Sequence, residues 1–306
     1  MIAIIQSKEE LSLITKRYKK IPIIFPLNLE VATYCKLNNI KFKFPFENNE
    51  YNNLSKEILL ESKNFLETIN FKIIEHKFLI NDIKAILRYK FNQTVFLIEA
   101  INYIKDKYEK IIYTDYFSHS KFWRENNFIN IEDALKVLNL KNLEKLKCEK
   151  NLQNTKSQNL FKYELVGIKY KKEKKVILNN AGYNFKRIIV YFFLKKIKIA
   201  IPRKNLNFIK RFVFKFMGFE LYDFSKTNIK VSNHLPDLRI NFTYKNYDLS
   251  EILNNEFNSS KFYLGDLIEK YNALIQYLSS SNVKLTICNA NREMGAILLE
   301  ASANKG

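Results

Sequence analysis

The sequence predicts an α/β fold of Rossmann-like parallel sheets with flanking helices, in two subdomains, the C-terminal unit incomplete. Three observations carry it. Short apolar runs of strand type alternate with amphipathic helical stripes near both ends of the chain. The joints between them are short, as parallel βαβ units require. The chain has 306 residues, which at roughly 150 per domain is enough for about two domains with a core each.

The first elements follow in order. Ile2–Ile5 is an apolar run of strand type, and Ser7 with Glu10 forms a Ser-x-x-Glu capping box in front of a helical stripe at Leu11, Ile14 and Tyr18. Ile21–Phe25 predicts a second strand, closed by Pro26. Leu27, Val31, Tyr34 and Cys35 give the next helix, and Ile40–Phe44 a third strand. The middle is helical over Leu54–Ile69. A second helix capped by Asn81 or Asp82 carries Ile83, Ile86 and Leu87 and runs on towards Tyr108. Lys110–Asp115 predicts a strand and Ile131–Leu146 a helix. Cys148–Asn159 holds a single large apolar side chain, Leu152. The expected organisation is therefore an N-terminal α/β domain with a helical insert over 1–148, a linker over 149–160 and a Rossmann-like domain over 161–306.

The second half repeats the alternation. Val176–Asn179 is a strand, 180–184 a polar turn, and Phe185, Ile188, Ile189, Phe192 and Phe193 a buried helical face. Ile197–Ile201 is the returning strand. Phe208, Ile209, Phe212, Val213, Phe216 and Met217 then form a stripe with Gly218 at the stop position. A membrane-interface helix carries such a stripe, but so does a crossover helix packed on a sheet, and core packing is expected. Leu238, Ile240, Phe242 and Tyr244 alternate as a half-buried strand; Leu249–Phe257 and Leu264–Leu278 predict two helices. Val283–Cys288 is a strand and Arg292–Asn304 a helix ended by Gly306. That close is half a βαβ crossover without its receiving strand, so the sequence is expected to be an N-terminal fragment of a longer protein.

Composition narrows the function classes. Apolar residues are 47% and aromatic ones 14%, which excludes a disordered chain. The three cysteines (Cys35, Cys148, Cys288) are dispersed, so no disulfide framework or zinc knuckle is offered. The longest apolar run, Ile188–Leu194, is far short of the ~20 residues that span a bilayer. The N-terminus has no basic start or small-residue cleavage site. A cytoplasmic location is expected, with the inner face of a membrane as a peripheral alternative. Lys and Arg number 51 against 31 Asp and Glu, a net charge of +20. Asn, Ile, Phe and Tyr are abundant with Lys, the bias of an A+T-rich coding sequence, and the lysines spread along the chain. Nucleic acid is accordingly not the expected partner.

No phosphate-loop, dinucleotide, zinc-protease or nucleophile-elbow motif is present, and no cofactor or metal is expected. What remains is position, because ligands of open parallel sheets sit beyond the carboxyl ends of the strands. In the turn carrying Asn180, Gly182, Tyr183 and Asn184, the glycine would let backbone N–H groups approach a hydroxyl or phosphate; an ordinary turn glycine is the simpler account. Asn289, Asn291, Arg292 and Glu293 hold the equivalent place after the last strand, where Arg292 and Glu293 read equally as a solvated first helical turn. Asp115 and His119 form a carboxylate–imidazole combination suited to deprotonating a hydroxyl, although four residues apart they can also point away from each other. His234, near Asp237, is a rival base or a plain loop residue.

The stretches Lys175–Pro202 (KVILNNAGYNFKRIIVYFFLKKIKIAIP) and Asn282–Gly306 (NVKLTICNANREMGAILLEASANKG) resemble the amino-terminal half of GT-B-type glycosyltransferases of bacterial surface-carbohydrate and capsule biosynthesis. In those enzymes a strand, a polar turn and a helix with an internal Glu precede a strand ending in His-Gly. Here Glu293 or Glu300 would be that Glu. The opening βαβαβ segment resembles their accessory domain. The resemblance implies a cleft between two Rossmann-like domains, a nucleotide-sugar donor held mainly by the missing domain, and a glycan or lipid-linked acceptor on the side supplied here. It implies no protein metal ligands, and gives the positive charge a use at the inner membrane face. The rival expectation is a non-enzymatic basic module that binds an anionic polymer, a membrane surface or a partner protein.

Overall fold

Residues 1–115, 131–147, 159–169, 174–179, 185–232, 235–288 and 293–305 are described by the computed structural model. By its internal contacts the chain divides into two compact units. Unit 1 comprises 1–70, 84–156 and 238–259; unit 2 comprises 71–83, 157–237 and 260–306.

In unit 1 the run Ile2–Ile5 forms β1, with all four residues buried. Ser7 then starts α1 (Lys8–Arg17) with the reciprocal capping box read from the sequence. The chain returns as β2 (Ile23–Pro26) and enters α2 (Leu29–Leu37), whose cap Asn28 accepts from the Val31 N–H at 2.9 Å. Beyond α3 (Asn48–Glu67) and the 29-residue α4 (Lys77–Lys105) come β3 (Ile111–Thr114), α5 (Ile131–Leu138) and β4 (Leu143–Leu146). The four strands are parallel in the order β2-β1-β3-β4. Ala3, Ile5, Leu11, Ile14, Ile24, Val31, Cys35 and Ile112 make one core under α1 and α2.

Several expected elements change here. Ile40–Phe44 is not a full strand and contributes only an isolated parallel bridge, Phe42 to Ile24 of β2. The predicted helix over 131–146 splits, because Asn139 takes a left-handed φ of 47° and the alternating Leu143–Leu146 then pairs with β3. The helix expected to start at Asn81 or Asp82 starts at Lys77, leaving both residues inside it. Leu238–Phe242 is not a strand; β9 is only Thr243–Tyr244, paired with β10 (Tyr247–Asp248).

Unit 2 is built on β5 (Leu160–Val166), β6 (Lys175–Asn179), α6 (Phe185–Leu194), β7 (Lys198–Pro202), α7 (Phe208–Phe216) and β8 (Glu220–Val231). The two helices predicted over 249–278 are one continuous α8 (Ser250–Ser280), followed by β11 (Val283–Cys288) and α9 (Glu293–Lys305). The sheet order is β11-β6-β7-β8-β5, parallel except for β5, which runs antiparallel to β8. The strands β6, β7 and β8 succeed one another in one direction, and right-handed crossovers then set α6 and α7 on the same face of the sheet. Val176, Leu178, Ile199, Ile201 and Leu221 pack there against Ile189 and Phe192 of α6.

The stripe on α7 is where core packing was expected and does not occur. The helix buries no residue, and only Phe214 packs on the core, partly buried and stacked on Phe219. A nine-residue helix meets the sheet along one narrow row, and the remaining apolar positions face outward. Among the described residues no helix is long and apolar enough to cross a membrane.

Candidate functional site

Each unit has a topological switch point, where successive crossovers leave one strand in opposite directions and open a crevice at the strand ends. In unit 1 it lies between β1 and β3, and the sequence fills it with polar groups. The Glu10 carboxylate is fully buried there. Its Oε2 accepts from the N–H groups of Gln6 and Ser7 at 2.6 and 2.7 Å, and its Oε1 from the Thr114 hydroxyl at the end of β3. Burial, which penalises the ionised form, pushes its pKa up to about 7 despite these donors. Asn28 donates to the Gln6 carbonyl at 2.5 Å, tying the start of α2 to the same mouth. Asp115 follows β3 directly, its N–H donating to Leu146 O at 3.2 Å. Its proposed partner His119 lies outside the described residues.

The sequence marked Glu10 only as a helix cap. The missing signal was tertiary: Thr114 lies 104 positions away. A Glu at the third position of a helix that follows a wholly apolar strand is the local hint of burial.

In unit 2 the switch point lies between β6 and β11, which the register pairs as far as Asn179 opposite Cys288. The two turns singled out by the sequence leave from these neighbouring strand ends. Their residues Asn180, Gly182, Tyr183, Asn184, Asn289, Asn291 and Arg292 lie outside the described residues, as does His234. Glu293 opens α9. Asp237, the suggested neighbour of His234, is held by the Lys261 ammonium at 2.5 Å.

Unit 2 also has a pocket of roughly 600 Å³, lined by Glu75, His76, Lys77, Phe78, Ala296 and Glu300 among others. Glu300 Oε1 lies 3.0 Å from His76 Nδ1, while Oε2 accepts the Phe78 N–H at 2.9 Å, capping the first turn of α4 from a distant helix. His76 packs against Phe78 and Tyr271, and Asn304 donates to the Tyr271 hydroxyl at 2.7 Å. His76, Glu300, Tyr271 and Asn304 all have partners within the fold, which marks their arrangement as a helix-end clamp. Among the described residues no group of three His, Cys, Asp or Glu is placed to hold a metal ion.

Fold and mouths together define an α/β protein with two largely parallel, Rossmann-like sheets flanked by helices. No protein-family model and no solved structure matches the chain. A tRNA N6-adenosine threonylcarbamoyltransferase of Campylobacter jejuni subsp. jejuni serotype O:23/36 (strain 81-176) is 32% identical to it over 126 residues, 41% of this chain and 32% of that protein. The chain thus spans about a third of the length of the curated relative it matches.

This similarity overturns the resemblance to GT-B glycosyltransferases, since the relative belongs to a different enzyme class. With it go the expected role in surface-polysaccharide synthesis, the nucleotide-sugar donor and the glycan or lipid-linked acceptor. The strand–turn–helix pattern behind the resemblance is common to parallel α/β sheets and does not assign chemistry. The relative's name sets its activity on tRNA, which runs against the expectation that nucleic acid is not a partner.

Proposed function

We propose that this chain is an RNA-directed α/β protein, related in part to tRNA modification. The observation that carries the proposal is the 126-residue similarity to the tRNA N6-adenosine threonylcarbamoyltransferase. The net charge of +20 supports it, because a polyanion is drawn to such a chain. Two switch-point mouths of the kind that take nucleotide-like ligands support it further. In this reading the turns 180–184 and 289–293 take a phosphate or ribose hydroxyl at one mouth. Asp115 and His119 offer the polar groups at the other, with His234 a further candidate. What is proposed of this chain is RNA contact in the cytoplasm; threonylcarbamoyl transfer is named for the relative. The test is binding of the purified chain to bulk tRNA at rising salt. Log affinity should fall linearly with log salt, by about 0.7–0.9 for each phosphate contact. A folded chain that retains no tRNA at low salt refutes the proposal.

A second reading has its own observation. The α7 helix turns Phe208, Phe212 and Phe216 to solvent, 83%, 69% and 87% exposed. We propose on that ground that the protein also works peripherally, on a membrane surface.

A further inference from the structure

The outer face of α6 and α7 is unlike the rest of the described surface. On α6, Val190, Tyr191, Phe193 and Leu194 are exposed while Ile189 and Phe192 reach the core. On α7, Phe208, Phe212 and Phe216 form an i, i+4, i+8 row about 12 Å long, flanked by exposed Ile209 and Val213. Monomeric soluble proteins seldom expose large contiguous apolar patches. The segment 185–217 contains ten Lys or Arg and no Asp or Glu. Exposed Lys215 borders the phenylalanine row, exposed Lys210 lies on another side of the helix, and Lys195, Lys196, Arg203 and Lys204 follow at the connections.

We infer that this face docks on a bilayer carrying anionic phospholipid, with the Phe row in the headgroup–acyl boundary and the cations on the phosphates; the inference rests on the peripheral reading above. Interfacial helices pair an apolar face with Lys and Arg in this manner. Lys215, beside the row, can bury its methylene stem and keep the ammonium at headgroup level. A second copy of the chain fits poorly, because a two-fold contact would set segment 185–217, which has no Asp or Glu, against itself, cation against cation. RNA fits less well than lipid. Bases stack on aromatic rings, but Val190, Leu194, Ile209 and Val213 give them nothing to stack on, whereas acyl chains accept all four.

The test uses the full chain and flotation with two kinds of vesicle, phosphatidylcholine alone and phosphatidylcholine mixed equally with phosphatidylglycerol. Binding is expected on the mixed vesicles and weak or absent on the neutral ones. The triple variant F208S/F212S/F216S removes side chains that the fold does not bury, so it should keep its circular dichroism spectrum and lose flotation. K215Q should weaken binding to mixed vesicles by about fivefold and leave neutral vesicles unaffected. Equal binding to both kinds overturns the anionic partner and leaves the peripheral reading standing; no binding to either overturns both. Wild-type flotation of the folded Phe variant overturns this face as the contact. So does a loss of tRNA retention instead of flotation, which makes it the RNA surface, or a dimer that the Phe variant converts to monomer without vesicle binding.

Discussion

Replacing Glu10 with Gln should remove a pH dependence of stability that this one buried group creates. In the folded chain Glu10 keeps its proton up to a pH of about 7, against an ordinary value of 4.5. Below 4.5 both folded and unfolded chains are protonated and the group makes no difference. Between 4.5 and 7 the unfolded chain releases the proton while the folded chain holds it, so the folded state binds more protons and stability falls as pH rises. Above 7 the carboxylate is buried and the full penalty applies. A pKa raised by that interval is worth roughly 3 kcal/mol. Gln is a neutral isostere here: its carbonyl can take the Gln6 and Ser7 N–H groups, and its amide can donate to Thr114. The assay is urea unfolding of wild type and E10Q from pH 4.5 to 8, with hydrogen exchange of the β1 amides as the local measure. E10Q should gain about 3 kcal/mol on wild type across that range. Parallel profiles for the two proteins would show that the backbone donors, rather than burial, govern Glu10.

Two further outcomes concern unit 2. Lys175 is wholly buried and its ammonium lies 2.9 Å from Glu220, with a second bond to the Lys169 carbonyl. K175M or E220Q alone should destabilise the unit by about 3–5 kcal/mol in thermal or urea unfolding, and the double variant by clearly less than the sum. Gly167 and Gly218 share a φ of +79°, yet a Cβ at Gly167 would meet Leu221 O at 2.2 Å and one at Gly218 would meet nothing. G218A should therefore cost only the left-handed penalty of about 1–2 kcal/mol, and G167A distinctly more, as read by the unfolding midpoint.

Local chemistry was legible in the sequence, and long-range partnership was not. The capping box at Ser7 and Glu10, the stop at Gly218 and the wholly apolar β1 follow from residues within a few positions of one another. The split of 131–146 was hidden because its helical and strand halves are both short, and Leu143–Leu146 becomes a strand only against β3. The same limit governs the mouths. Sequence placed polar turns after β6 and β11, but that these strands are neighbours is a pairing of residues more than a hundred positions apart. The Glu300 contacts to His76 and Phe78 join positions more than two hundred apart. Burial was the weakest inference: a helical stripe states which residues share a face and leaves open whether anything covers it.

The charge illustrates how a compositional bias and a use of charge can be separated. An even bias towards lysine places cations beside carboxylates as often as elsewhere, and unit 1 shows the consequence. Lys8 meets Glu30, Lys110 meets Glu144, Lys145 meets Glu132, and Lys245 meets both Glu57 and Glu99. Bias of that kind explains why lysine is common; it does not remove acidic residues from one stretch. Segment 185–217 has no Asp or Glu to set against its ten cations, and it coincides with the helices that leave their apolar side chains outside. Excess charge alone would suit any polyanion, and exposed apolar surface alone any greasy partner. The two together, in one segment of the chain, suit a partner that is anionic at its rim and hydrocarbon within.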